Sequence, residues 1–156
     1  MNSDTHLWLK RPAFFIGTFF GIGQIPLMPG TWASFVAAGI HWLISPLDFG
    51  VQLSMVVLFF VIGVWAGSTV ERMEGETDPG RVVIDEAVGM WVALFMIPHS
   101  ITLYLLGFVL FRIFDVTKLV PLNRIQALPA GWGIMLDDVG AGIYALIIIQ
   151  VVVAFL

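Results

Sequence analysis

Six apolar stretches, at 13–27, 31–44, 51–70, 82–97, 101–114 and 139–156, fill most of the chain, separated by polar breaks and, over 115–138, by a longer Pro- and Gly-containing connection. A straight helix needs about 20 apolar residues to cross a bilayer, and several of these stretches are shorter. The first is interrupted by Gly17, Gly21, Gly23 and Pro26, and reads as a re-entrant or interfacial segment. With 59% apolar and only 12% charged residues, against about 25% charged in ordinary soluble domains, the chain lacks the polar residues to cover a water-facing surface. The expectation is an all-α, polytopic integral membrane bundle of about five transmembrane helices plus that N-terminal segment. At 156 residues it should form a single membrane-embedded domain over 1–156.

The charges orient such a bundle. With the N-terminus in the cytoplasm, Lys10, Arg11, Arg72, Arg81, Arg112, Lys118 and Arg124 all fall on one side, and the opposite loops SPLDFG and PHS contain no Lys or Arg. Basic residues concentrate in cytoplasmic loops, so the N-terminus and the flanks of the acidic blocks are expected to face the cytoplasm and the C-terminus the far side. The run after Lys10 and Arg11 mimics a signal peptide. It continues into PGTWAS without a convincing cleavage site, so it is expected to be retained. A net charge of −4 gives no basic footprint for nucleic acid. With no cysteine, disulfides, thiolate nucleophiles and Cys-bound zinc are excluded.

Against this background stand five carboxylates in tight groups: Asp85-Glu86 in VVIDEAVGMW, Asp115 in FRIFDVTK, and Asp137-Asp138 in GIMLDDVGAG. A charge near the bilayer centre costs roughly 2.5–3.5 kcal/mol on insertion scales, so five unpaired ones are untenable. A hard divalent cation held by carboxylate oxygens is the simplest remedy; a proton pathway or internal ion pairs are the alternatives. Under the threading above, Asp85-Glu86 begin one helix, Asp115 ends another and Asp137-Asp138 begin the last, so all five share one depth. Each group also has a plain reading. Acids cap helix N-termini, and Arg112, Asp115 and Lys118, three residues apart, can form an intrahelical ion pair.

Arg112 and Lys118 are suited to phosphate, the first bidentately and the second as a point charge. Thr31, after Pro29-Gly30, reads as the N-cap of a helix beginning at Trp32, where free N–H groups receive phosphate; a structural break in a re-entrant loop is the equal alternative. His6, His41 and His99 share no ligand spacing and read as interfacial or surface residues, and the tryptophans as an aromatic belt.

Four blocks in order, GIGQIPLMPGTWAS, DPGRVVIDEAVGMW, FRIFDVTKLVP and GWGIMLDDVGAG, together resemble the phosphatidylglycerophosphatase A family of bacterial membrane phosphatases. The resemblance spans Gly21 to Gly142. It implies magnesium-dependent removal of the terminal phosphate of phosphatidylglycerophosphate, giving phosphatidylglycerol, by a multi-pass protein of the bacterial inner membrane. The positions carried over are Asp85, Glu86, Arg112, Asp115, Lys118, Asp137 and Asp138. Leu119 follows Lys118 where the family has proline, with Pro121 retained, which implies altered loop stiffness rather than altered chemistry.

The expected site therefore has a magnesium ion held by Asp85, Asp115, Asp137 and Asp138, with Asp85, Glu86 and Asp138 as catalytic carboxylates and Glu86 as general base. Arg112, Lys118 and Thr31 would bind the substrate phosphate, and an aspartyl-phosphate intermediate is a further route. A phosphatase for another lipid phosphate, such as phosphatidic acid, shares these features. An ion or proton transporter is the reading from another class, disfavoured because the acids lie on one side rather than across the membrane.

Overall fold

A computed structural model describes residues 12–118, 120 and 122–155; the expectations for His6, Trp8, Lys10, Arg11, Leu119 and Pro121 fall outside them. The described chain is helical throughout, with no strand. Its helices are α1 (Pro12–Gly17), α2 (Pro29–Ile44), α3 (Phe49–Glu74), α4 (Ile84–Ala93), α5 (Ile101–Thr117), α6 (Leu122–Ile125) and α7 (Gly131–Ala154), with a 3-10 turn at Ile22–Gln24.

Local chemistry sets these limits. Pro29 occupies the first turn of α2, where its missing N–H costs nothing. Asp48 caps α3, accepting from Val51 N at 3.1 Å, and Gly75 ends it in the left-handed conformation at φ 70°. Lys118, at φ 42°, terminates α5. The stretch 13–27 does not form one helix. It folds as the six-residue α1, a turn in which Phe19, Phe20 and Gly21 all take positive φ, and the 3-10 turn.

Two helices, α3 with 26 residues and α7 with 24, are long and apolar enough to cross a membrane. The best window of α3 is only 17% buried within the fold, and Leu53, Val57, Leu58, Val61 and Trp65 point outward. Leaving such a face in water would forfeit about 1.5–3 kcal/mol per large side chain. These two helices point to membrane association. The other stretches fall short of the expected spans: α2 has 16 residues, α5 has 17 and α4 only 10, the last about 15 Å long at 1.5 Å per residue.

Helix α4 is the core. All but two of its residues are buried, and α2, α3, α5 and α7 pack around it. Trp91 donates to Ala37 O at 2.9 Å and stacks edge-on against Phe59, so this tryptophan is a core residue rather than part of an interfacial belt.

Contacts at the two ends fix the helix directions. At one end the first turn of α2 meets the first turn of α4, Arg112 late in α5 approaches Glu86, and Gly67 late in α3 abuts Gly131 at the start of α7. At the other end His41 bonds Tyr104 at 2.8 Å, and Gln52 of α3 accepts from Met96 N just after α4 at 3.3 Å. Helices α2, α4 and α7 therefore run one way, and α3 and α5 the other. His41, expected at a surface, is 2% exposed; its place between α2 and α5 depends on a partner 63 residues away.

Candidate active site

The end of the bundle where α2, α4 and α7 begin and α3 and α5 finish carries every described Lys and Arg and all five singled-out carboxylates. Its construction starts from two glycines. Gly89 on α4 and Gly142 on α7 lie against each other: a Cβ at Gly142 would strike Gly89 O, and one at Gly89 would come within 2.7 Å of Asp138 O. Asp85 precedes Gly89 by four residues and Asp138 precedes Gly142 by four, so each aspartate lies one turn before its glycine on the same helix face. Because the helices are parallel, the glycine contact brings the two aspartates together.

Glu86 joins them through a third glycine. A Cβ on Gly30 would run into the Glu86 carboxyl and lie 3.3 Å from Arg112 Nη1, so a side chain there would have to displace the Glu86 carboxylate. Ligand-type oxygens of Asp85, Glu86 and Asp138, one from each, all lie within 4.8 Å of one another. Asp85 and Asp138 are 7% and 3% exposed. Asp85 Oδ1, Glu86 Oε2 and Asp138 Oδ2 are buried with no hydrogen-bond partner among the described residues. Buried carboxylate oxygens without donors are costly. A hard cation would satisfy all three, and the donor set is one that magnesium, calcium or manganese accepts.

The other two expected acids also meet cations, and Asp115 keeps a side-chain contact with Asp138. Asp115 accepts from Arg112 Nη1 at 2.5 Å, and Asp137 from Lys118 Nζ at 2.7 Å. Arg112 also lies 3.9 Å from Glu86 Oε1, which makes it the link between the pairs and the cluster. Burial opposes the charge on Lys118, but the hydrogen bond and charge of Asp137, with Asp78 and Asp138 adding, outweigh it and raise its pKa. It is a cation at neutral pH.

Two local expectations are corrected. Thr31 is not an N-cap, because α2 begins at Pro29; its hydroxyl is nonetheless buried with no hydrogen-bond partner among the described residues, beside the hollow that Arg112 also lines. Asp137-Asp138 do not begin the last helix. They lie in its second turn, because α7 starts at Gly131, whose N–H donates to Ser68 Oγ of α3 at 2.9 Å. The sequence reading also missed Gly30, which it took only as a turn. Its place between two residues of the acid–base constellation is visible only in three dimensions.

The family model described as phosphatidylglycerophosphatase A matches residues 15–153. The chain belongs to that family. Among relatives, a putative phosphatidylinositol-3-phosphatase of Bacteroides thetaiotaomicron is 42% identical over 155 residues, covering 92% of this chain and 96% of its own. Two proteins called phosphatidylglycerophosphatase A are also similar. That of Escherichia coli is 32% identical across 90% of this chain and 83% of its own; that of Haemophilus influenzae is 36% identical across 90% and 88%. No solved structure matches the chain. The family match covers every residue of the acidic constellation.

Proposed function

We propose that the protein hydrolyses the terminal phosphate of phosphatidylglycerophosphate at the cytoplasmic membrane face, as a single magnesium-dependent phosphatase domain. The observation that carries this reading is the convergence of three buried, donor-free carboxylate oxygens beside Arg112 in a chain of this family. Asp85 and Asp138 would hold the metal directly, with Glu86 facing it. When bound, magnesium would neutralise phosphoryl oxygens and lower the pKa of a water.

The chain's own groups do the rest. Arg112 and Lys118 offset charge on the phosphate, while Asp115 and Asp137 hold those two cations in position. Thr31 offers a hydroxyl to the same phosphate. Glu86, between the cluster and Arg112, is the group to take a proton from the attacking water. Asp115 and Asp137 were expected to be metal ligands; their short pairings with Arg112 and Lys118 favour positioning roles instead.

The alternating helix directions support five passes with the acids at one depth, and the described basic residues, all at that end, support a cytoplasmic orientation. Passes made by helices as short as α4 require the bilayer to thin locally or the loops beside them to lie within it. Acids confined to one end argue against a transporter.

The test is phosphate release by detergent-purified protein from phosphatidylglycerophosphate, phosphatidic acid and phosphatidylinositol 3-phosphate, with magnesium and then with EDTA. The third substrate is included because of the Bacteroides relative's name. Release that requires magnesium and favours phosphatidylglycerophosphate is expected. Magnesium-dependent preference for another lipid would change the substrate and keep the site; release undiminished by EDTA would remove the metal from the reading.

Arg112→Ala should lower kcat/KM about 10- to 100-fold, the cost of a lost charge-assisted contact, mainly by raising KM. The magnesium concentration giving half-maximal rate should change little. An unaltered KM and rate would argue against Arg112 as a phosphate contact.

A further inference from the structure

The seam between α2 and α5 is incompletely filled along its outer side. A hollow of about 430 Å³ opens beside Thr31 and Arg112 and is walled by Phe108, Val109, Ile113 and Val116. A second, of about 300 Å³, continues along the seam over Ala38 and Gly39 to Trp42 and Ile101. Phe108 lines both, and its edge-to-face contact with Phe35, at 6.3 Å between ring centroids, stands at the junction. The furrow exists because α2 presents small residues there: a Cβ on Gly39 would meet nothing within 4 Å. In the second hollow, Tyr104 turns its hydroxyl away to His41, which leaves an apolar surface.

We infer that this furrow holds one acyl chain of the lipid whose phosphate sits at Arg112. The inference rests on the reading above that the substrate is a lipid phosphate, and it assigns the chain-binding part of the site. One observation selects this occupant over bulk lipid, and a second agrees with it. The furrow is continuous with the phosphate-binding corner, because Thr31 and Arg112 are part of its wall. Its length also fits: Arg112 to Ile101 is eleven residues of α5, roughly 16 Å at about 1.5 Å per residue. One leaflet of a hydrocarbon core about 30 Å thick is about 15 Å deep, so a chain anchored at Arg112 spans the furrow from end to end. Binding a remote part of the substrate is also a route to orienting its reacting phosphate.

The test compares dioleoyl with dihexanoyl phosphatidylglycerophosphate on wild type, Gly39→Phe and Leu105→Trp. Both substitutions fill the distal hollow. Gly39 has open space above it, and Leu105 is 60% exposed, so neither should disturb folding. Each should lower kcat/KM for the dioleoyl lipid by about tenfold, the scale on which one or two methylenes of pocket fit are discriminated, and leave the dihexanoyl rate within about twofold. Equal losses on both lipids, or no loss on either, would overturn the furrow as a chain site.

A readout independent of turnover is photolabelling by a lipid phosphate carrying a diazirine at its chain terminus. Label is expected in residues 35–42 and 101–108 of wild type and should be lost in Gly39→Phe; label spread over all lipid-facing helices would refute the assignment. Wild type that labels there but releases no phosphate would instead defeat the hydrolase reading.

Discussion

Asp138→Asn is expected to abolish phosphate release, by roughly a hundred- to ten-thousandfold if the carboxylate acts in the chemical step, in a protein that remains folded. The side chain is 3% exposed and its Oδ2 has no hydrogen-bond partner among the described residues, so the substitution conserves volume and removes a buried charge. Without metal, relief of repulsion from the nearby Asp115, Glu86, Asp137 and Asp85 should leave the variant at least as heat-stable as wild type. With metal the order should reverse. A ligand that binds only the folded state at a hundred times its dissociation constant stabilises it by about 2.7 kcal/mol, and the variant should lose most of that. Thermal unfolding in detergent with and without magnesium therefore tests the site apart from turnover. A magnesium-induced shift equal to wild type's, together with a wild-type rate, would remove Asp138 from the centre.

The same residues show what a linear reading can reach. Five acids in an apolar chain are conspicuous because each is costly wherever it lies, and the structure has all five at one end of the bundle. Which acids converge is another matter. Asp85 and Asp138 meet because Gly89 and Gly142 bring α4 and α7 into backbone contact, while Asp115, which also lies against Asp138, pairs with Arg112, and Asp137 pairs with Lys118. Those choices depend on helix rotation, which hydropathy does not encode. The start of α7 was misjudged for a similar reason: Ser68 supplies its cap from 63 residues away. The buried places of His41 and Trp91 rest on partners 63 and 54 residues distant. The element types follow from local pattern, whereas the assignment of polar groups to core or surface follows from partners.

Gly142→Val should be the most damaging substitution outside the charged residues. The new Cβ would strike Gly89 O and lie 3.0 Å from Val92 Cβ, and neither of those atoms can swing aside, since one is backbone and the other is fixed to it. Helices α4 and α7 would have to separate. Overpacking of this kind costs about 1–3 kcal/mol, enough to lower the melting temperature by several degrees. The effect on rate should exceed the effect on stability. The contact that separates is the one holding Asp138 beside Asp85, and a misplacement of about 1 Å costs on the order of a hundredfold. Gly39→Ala is the matched control: it is also a glycine within a helix, but its Cβ enters open space, so higher helix propensity should make it neutral or more stable by up to about 1 kcal/mol. Melting temperature, and phosphate release from the dihexanoyl lipid that does not reach the Gly39 hollow, measured on both variants, separate close helix approach from a general intolerance of lost glycine. If Gly142→Val melted and turned over like Gly39→Ala, the glycine contact could not be what assembles the carboxylates.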